Sequence, residues 1–208
     1  MLGLWKSMRR RLAKYKKSVV NTPRGLKRFD KESLVMRPWR FEGERFIQIG
    51  SRSVIFQGSN ICAVAQYEGQ SFTPSIWIGN DVYIGHYAFL TAISGITIGD
   101  GCVLSEHVYV TDFFHGFAPD CGLIMKQALV SKGPVVIGPN CFLGYRVAVM
   151  PGVTLGEWCI VGTNSVVTRS FPAYSMVAGS PARLVKVYSH ELKEWVMPTS
   201  SSPNGSEI

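Results

Sequence analysis

The stretch TDFFHGF sets Asp112 three residues ahead of His115. Imidazole changes charge closer to neutral pH than any other side chain, so it suits moving a proton to or from a reacting hydroxyl. A carboxylate beside it can hold the ring in one tautomer, although Asp112 equally fits a loop-capping role. A lone loop histidine is more often a solvated side chain, so the weight of this pair rests on what positions it. Five cysteines (Cys62, Cys102, Cys121, Cys141, Cys159) include no C-x-x-C pair and are odd in number, against both a disulfide framework and a zinc site. His86, His107 and His190 are too scattered to join His115 as a ligand set, so no metal is expected.

The element that must position the pair is a repeat. Ile49, Ile55, Ile61, Ile78, Ile84, Leu90, Ile98, Leu104, Val110, Ile137, Leu143, Val149, Leu155, Val161 and Val167 keep a six-residue beat, and eight of these fifteen precede a Gly. Six is neither the helical period of 3.6 nor simple alternation. It is the signature of a parallel β-helix, with three short strands to each triangular coil of about eighteen residues and the beat residue pointing inward. Fifteen beats make about five coils. The Gly is expected to supply the permissive backbone of a tight corner. Cys102, Cys141 and Cys159 fall four residues after a beat, where a small side chain recurs, and are expected to act as compact buried hydrophobes.

Two interruptions stand out. One is a pair of extra residues near Ser94–Gly95; the other is the excursion 111–136, which carries His115. A strict solenoid expels such a loop from a corner, and long loops on regular scaffolds often carry function. His86 and His107 fall on coil positions that face outward. After Val167 the beat stops. SHELKEWVM, with Ser189 as N-cap and Leu192, Trp195 and Val196 on one side, predicts a short C-terminal helix that holds His190 and covers the open end. The expected division is 1–44 for an N-terminal arm and lead-in, 45–188 for the β-helix, and 189–208 for the helix and a disordered tail.

The chain has 208 residues and a net charge of +8, unevenly placed. Residues 1–31 hold eleven Lys and Arg against one acid, Asp30, and the rest holds eleven bases and thirteen acids. The body is therefore near neutral, which argues against a nucleic-acid binder. The arm places Leu4, Trp5, Met8, Leu12, Tyr15 and Val19 near one helical face with bases over the rest, a pattern suited to an anionic membrane surface. A trimer-packing helix, a grip on an acidic polysaccharide and a solvated arm are the rival readings. No apolar run suggests a membrane span or a secretory leader, so the expected place is the cytoplasm, with peripheral contact at the inner membrane face through residues 1–20.

The hexads, the loop TDFFHGF, the re-entry SKGPVVIG and the run VVTRSFPAYSMVAGSPARLV together resemble the left-handed β-helix acyltransferases. The resemblance covers about residues 45–190 and is nearest to the acetyltransferases that decorate bacterial surface polysaccharides and lipopolysaccharide O-antigens. It implies an all-β, left-handed parallel β-helix; the hand comes from the resemblance, because periodicity alone does not give it. It further implies a homotrimer with active sites between subunits, acetyl-CoA as cosubstrate and a saccharide as acceptor.

On that resemblance His115 is the catalytic base and Asp112 its partner. An oxyanion donor is expected from a backbone N–H near Gly144 and Tyr145. Contacts to coenzyme A carry over to Gly144, Tyr145, Thr163, Thr168, Arg169, Arg183 and Lys186, the three cations suiting phosphates. Galactoside-type relatives bear acidic residues where this chain reads LTAISGITIG, without a carboxylate. Outward aromatics (Trp77, Tyr83, Tyr87, Tyr109, Phe113, Phe114, Phe117) are available to stack on sugar faces or to pack at an interface. The implied activity is O-acetylation of a surface glycan or its lipid-linked precursor. Alternatives are N-acetylation of an amino sugar, antibiotic acetylation, and a non-catalytic or carbonic-anhydrase-like β-helix.

Overall fold

The computed structural model describes residues 24–30 and 32–198; the basic arm expected over residues 1–20 and the tail beyond residue 198 lie outside them. Two strand residues and a four-residue corner carry the chain to the next side of the triangle every six positions. In each six, the beat residue and the small residue four positions later face the axis. All fifteen beat residues are 1% exposed or less. They stack in register: Ile84 lies between Ile55 and Leu104, Leu90 between Ile61 and Val110, and Ile98 between Ile78 and Ile137. Each such burial is worth roughly 1.5–3 kcal/mol, so the aliphatic column is the main stabilising element.

Three parallel sheets make the sides of the prism. The first runs through Arg28–Phe29, Ile47–Ile49, Ser75–Ile78, Gly95–Ile98, Val135–Ile137 and Thr154–Leu155. The second runs through Leu34–Val35, Val54–Ile55, Tyr83–Ile84, Val103–Leu104, Phe142–Leu143, Ile160–Val161 and Ser175–Gly179. The third runs through Arg40–Glu42, Asn60–Ala63, Phe89–Ala92, Tyr109–Thr111, Ala148–Val149 and Val166–Val167.

The β-helix begins earlier than the expected residue 45 and has, among the described residues, six full coils instead of about five. Phe29, Val35 and Phe41 are themselves six apart and sit over Ile49, Ile55 and Ile61. No Gly follows them, and two of the three are aromatic, which hid the beat. A third interruption also escaped the sequence pattern. Between Ala63 and Ser75 the chain leaves the coil as a hairpin, Gln66–Tyr67 against Gln70–Ser71. Glu68 and Gly69 make its two-residue turn, both at positive φ (41° and 80°), as hairpin turns that follow strand twist require.

The repeat glycines serve close approach. None of the eight has the positive φ expected of a permissive corner. At Gly144, a Cβ would lie 2.8 Å from Thr163 N in the next coil. The left-handed position is instead three residues after the beat, where Asp81, Tyr87, His107, Asn140, Arg146 and Asn164 all have φ near 57° and their side chains turned out of the core. The buried thiols do more than fill space. Cys102, Cys141 and Cys159 donate to the corner carbonyls of Gly138, Gly156 and Pro172, at 3.0–3.1 Å.

The expected C-terminal helix is a strand. Ala182–Ser189 folds back antiparallel on Ser175–Gly179, and Glu194–Val196 pairs in turn with Ala182–Ser189, extending the second sheet. Trp195 sits across from Tyr188, ring edge to face at 5.5 Å. A nine-residue helix gains little alone, and the open strand edge offered ladder hydrogen bonds instead. Ser189 Oγ still accepts from Leu192 N, but within a turn.

Candidate active site

The outer face of the third sheet forms the floor of a cleft of about 980 Å³. Arg40, Asn60, Phe89 and Tyr109 stand in one register column; Glu42, Cys62, Thr91 and Thr111 stand in the next. Phe89 and Tyr109 stack, with ring centroids 5.3 Å apart. Arg40 holds Glu42 at 2.6 Å, and the pairing draws the Glu42 carboxyl below its ordinary range. Thus a carboxylate does reach the cleft, from the first coil and not from the LTAISGITIG stretch. Cys62 also lines it, but burial pushes its thiol up to about 11, so it stays neutral and is a poor nucleophile. Of the outward aromatics, Tyr109, Phe113 and Phe114 line the cleft, whereas Trp77, Tyr83, Tyr87 and Phe117 do not.

His115 lines one wall. The excursion that carries it is anchored along its length. Phe114–His115 pairs antiparallel with Leu129–Val130, His115 facing Leu129. Gln127, buried, staples the tip by donating to Ala118 O and Gly122 O and accepting from Ala118 N. At the base, Ser131 Oγ donates to Asp112 O.

The Asp112 side chain goes elsewhere than to His115. It is fully buried, and its two oxygens accept the N–H groups of Ile93, Ser94 and Gly95, at 2.9, 2.7 and 2.5 Å. These three residues span the small bulge. Burial raises its carboxyl above the ordinary range, against the pull of those three donors. Asp112 therefore clasps the loop exit to the coil beneath; the orienting partnership with His115 that the D-x-x-H spacing suggested is not made.

The group at His115 is Tyr67, which sequence reasoning missed. Its Oη lies 3.3 Å from His115 Nδ1, and the rings meet edge to face at 5.3 Å. Tyr67 Oη also donates to Met125 O. The hairpin that bears Tyr67 grips the loop twice more, through Gln70 on both backbone groups of Leu129 and through Glu68 on Lys126 at 2.9 Å. The one available signal was the spacing of seventeen between Ile61 and Ile78, consecutive beats that a strict repeat sets six apart.

The residues expected to hold coenzyme A fall into two groups. Gly144 N donates to Val161 O and Gly162 N to Val177 O, which stacks Gly144–Tyr145, Gly162–Thr163 and Ala178 at the corner between the second and third sheets. Arg183 pairs with Ala178 and so continues that corner; Lys186 pairs with Met176 on the outer face of the second sheet. Thr168 and Arg169 lie on the opposite edge of the third sheet, past Val167, and Arg169 covers the Phe171 ring at 5.2 Å. The loop with His115 leaves the third sheet on this same edge, after Tyr109–Thr111. Because Gly144 N is committed to Val161 O, an oxyanion donor in that region has to be another N–H. His190 sits in the final turn against Tyr174 and Tyr188, away from the cleft. Among the described residues no group of three His, Cys, Asp or Glu is placed to hold a metal, and no helix is long and apolar enough to cross a membrane.

A family model of the hexapeptide repeat of succinyl-transferase matches residues 75–112 and 134–169, the two blocks that flank the loop. Over these two blocks the chain is similar to that family. A relative in Escherichia coli, WbbJ, named for lipopolysaccharide biosynthesis O-acetyl transfer, is 34% identical over 58% of the chain and 64% of its own length. Another from Escherichia coli, WcaF, named for colanic acid biosynthesis acetyl transfer, is 34% identical over 53% of the chain and 54% of its own length. The chain spans a little under two thirds of the first of these relatives and about half of the second. Among solved structures, an N-acyltransferase from Bacillus cereus, AntD, determined with dTDP and coenzyme A, superposes with a TM-score of 0.68 at 18% identity, over 84% of this chain and 94% of that one. An acetyltransferase from Vibrio cholerae, complexed with acetyl coenzyme A, gives 0.51 at 20% identity, over 78% and 72%. The fold of this chain is accordingly the left-handed parallel β-helix.

Proposed function

We propose that the chain is an acetyl-CoA-dependent O-acetyltransferase whose acceptor is a sugar hydroxyl of a bacterial surface polysaccharide or of its lipid-linked precursor. The observation that carries this reading is His115, held by an anchored loop on the wall of a cleft large enough for a saccharide, with one ring nitrogen occupied and the other left for substrate. The names of WbbJ and WcaF, and the acyl-CoA chemistry of the solved relatives, point the same way.

Acetyl-CoA supplies an activated thioester, so the protein needs a base, an oxyanion donor and a binding surface. His115 Nε2 takes the proton of the sugar hydroxyl as its oxygen bonds to the acetyl carbon. The same ring then returns that proton to the departing sulfur as the C–S bond breaks. Tyr145 N–H is our choice of oxyanion donor. Phe89 and Tyr109 offer stacked faces to a sugar ring, and Arg40, Glu42 and Asn60 offer polar partners for its hydroxyls.

The two halves of this site lie on opposite edges of one sheet in a single chain. A neighbouring copy presenting its Gly144, Tyr145, Thr163 and Arg183 corner to the His115 cleft completes it, which is the reason to expect a homotrimer with shared sites. Residues 1–20 would then hold the enzyme at the cytoplasmic membrane face beside a lipid-linked acceptor; deleting them should abolish co-sedimentation with anionic vesicles, and retention would count against that role.

The central test is thiol release from acetyl-CoA with the glycan of the producing strain. His115→Ala should lower kcat by about 10²–10⁴-fold. Equal turnover by both proteins removes His115 from its role. A product mass shift lost in mild alkali identifies the ester, and an alkali-stable shift would replace it with an amide.

A further inference from the structure

We propose that Tyr67 fixes the proton of the neutral His115 ring on Nδ1 and so presents Nε2 as the proton acceptor. This rests on the role of His115 proposed above, but the tautomer itself can be read without any turnover.

The argument is a count of hydrogens. A tyrosine hydroxyl has one proton to give and lone pairs to accept with. Met125 O is a carbonyl and can only accept, and it lies 2.5 Å from Tyr67 Oη. The phenolic hydrogen is therefore committed to Met125. Were it turned instead toward His115, two oxygens would face each other at that distance with nothing between them. Toward His115 Nδ1, at 3.3 Å, Tyr67 can then only accept, so Nδ1 must carry the hydrogen. The lone pair is left on Nε2. The distance is long for such a bond, as is common where catalytic contacts tighten only with substrate bound.

Three features support an orienting role for Tyr67 over incidental contact. The edge-to-face packing of the two rings fixes the imidazole plane as well as its tautomer. Asp112, the carboxylate nearest in sequence, has both oxygens occupied by the N–H groups of Ile93, Ser94 and Gly95, and no other side chain of the same loop replaces it at Nδ1 among the described residues. Moreover, Tyr67 stands on a hairpin whose neighbours Glu68 and Gln70 bind the same loop, so the phenol and the imidazole are held by one rigid unit. A phenol differs from a carboxylate in carrying no charge. It orients the ring and supports the imidazolium only through a dipole.

The experiment is long-range proton–nitrogen correlation on the full chain labelled with ¹⁵N-histidine, at a pH where the ring is neutral, with the His115 signals assigned by their loss in His115→Ala. The wild-type ring should show a protonated Nδ1 and a bare Nε2. In Tyr67→Phe the ring should move toward the Nε2–H tautomer that free histidine favours. In steady-state assays kcat should fall by about 10–100-fold with the KM for acetyl-CoA within about twofold, since only the transfer step uses the ring. Glu68→Gln is the control for loop anchoring: it removes the Lys126 ion pair of the same hairpin and should keep the wild-type tautomer and kcat. A wild-type ring protonated on Nε2 overturns the proposal whatever the variants do. So does a Tyr67→Phe protein with unchanged tautomer and kcat, or a Glu68→Gln protein that loses as much as Tyr67→Phe. Full activity in His115→Ala would instead sink the acyl-transfer role and leave the tautomer result standing.

Discussion

At the residue scale, the place beside His115 that spacing along the chain suggests for Asp112 is taken by Tyr67. Asp112 lies three residues from His115 and serves the backbone of the coil beneath; Tyr67 lies 48 residues away and meets the imidazole. The two roles separate by experiment. Asp112→Asn keeps the shape of the side chain but sets an amide N–H₂ against backbone donors that need an acceptor. It should cost about 3 kcal/mol of stability, because a buried N–H is left facing another donor, and should lower Tm in thermal denaturation. His115→Ala should leave Tm nearly unchanged, since the ring is only half-buried and makes one long hydrogen bond. An Asp112→Asn protein with wild-type Tm and greatly reduced kcat would return the carboxylate to catalysis. The thiols make the related point that polarity inside a column need not mean chemistry: Cys102, Cys141 and Cys159 are spent on corner carbonyls.

At the scale of elements, the molecule divides into a periodic part and two insertions that leave it. The hairpin at 66–71 and the excursion after Thr111 emerge on the same edge of the third sheet, from coils with only Phe89–Ala92 between them. They therefore find each other, and their contacts are polar and specific: Gln70 on Leu129, Glu68 on Lys126, Tyr67 on Met125 and His115. This explains how a loop of more than twenty residues presents a ring in a fixed pose. The C-terminal segment follows the opposite logic. Its apolar spacing fits a short helix as well as a strand, and the free edge of Ala182–Ser189 settles the matter by pairing.

At the scale of the whole molecule, one chain leaves apolar surface exposed at the loop tip, with Phe117, Leu123 and Met125 each more than 60% accessible, and leaves the cleft open on the third sheet. Association of copies through this face would bury both and bring the Gly144 corner to His115. Complementation tests the arrangement. His115→Ala carries one lesion and Thr163→Trp, which fills the corner, carries the other. Co-expressed and purified as mixed oligomers, these inactive chains should recover about a quarter of wild-type turnover if each site takes one half from each of two copies. Recovery of nothing would mean that both halves belong to the same chain.

The sequence by itself determined the periodic part. A six-residue beat of Ile, Leu and Val fixes a triangular parallel β-helix, though not its hand, because ladder pairing and inward stacking repeat identically at every coil; the place where the His115 loop leaves the stack follows from the same beat. It was silent where that regularity lapses. Phe29, Val35 and Phe41 form a coil although no Gly marks it, because stacking on Ile49, Ile55 and Ile61 rewards any apolar ring or chain of suitable size. Which group meets His115, where the Asp112 carboxylate turns, and whether the last residues become helix or strand were decided only in three dimensions. Those outcomes depend on which hydrogen-bonding groups the finished coils leave unsatisfied nearby, and no local period encodes that.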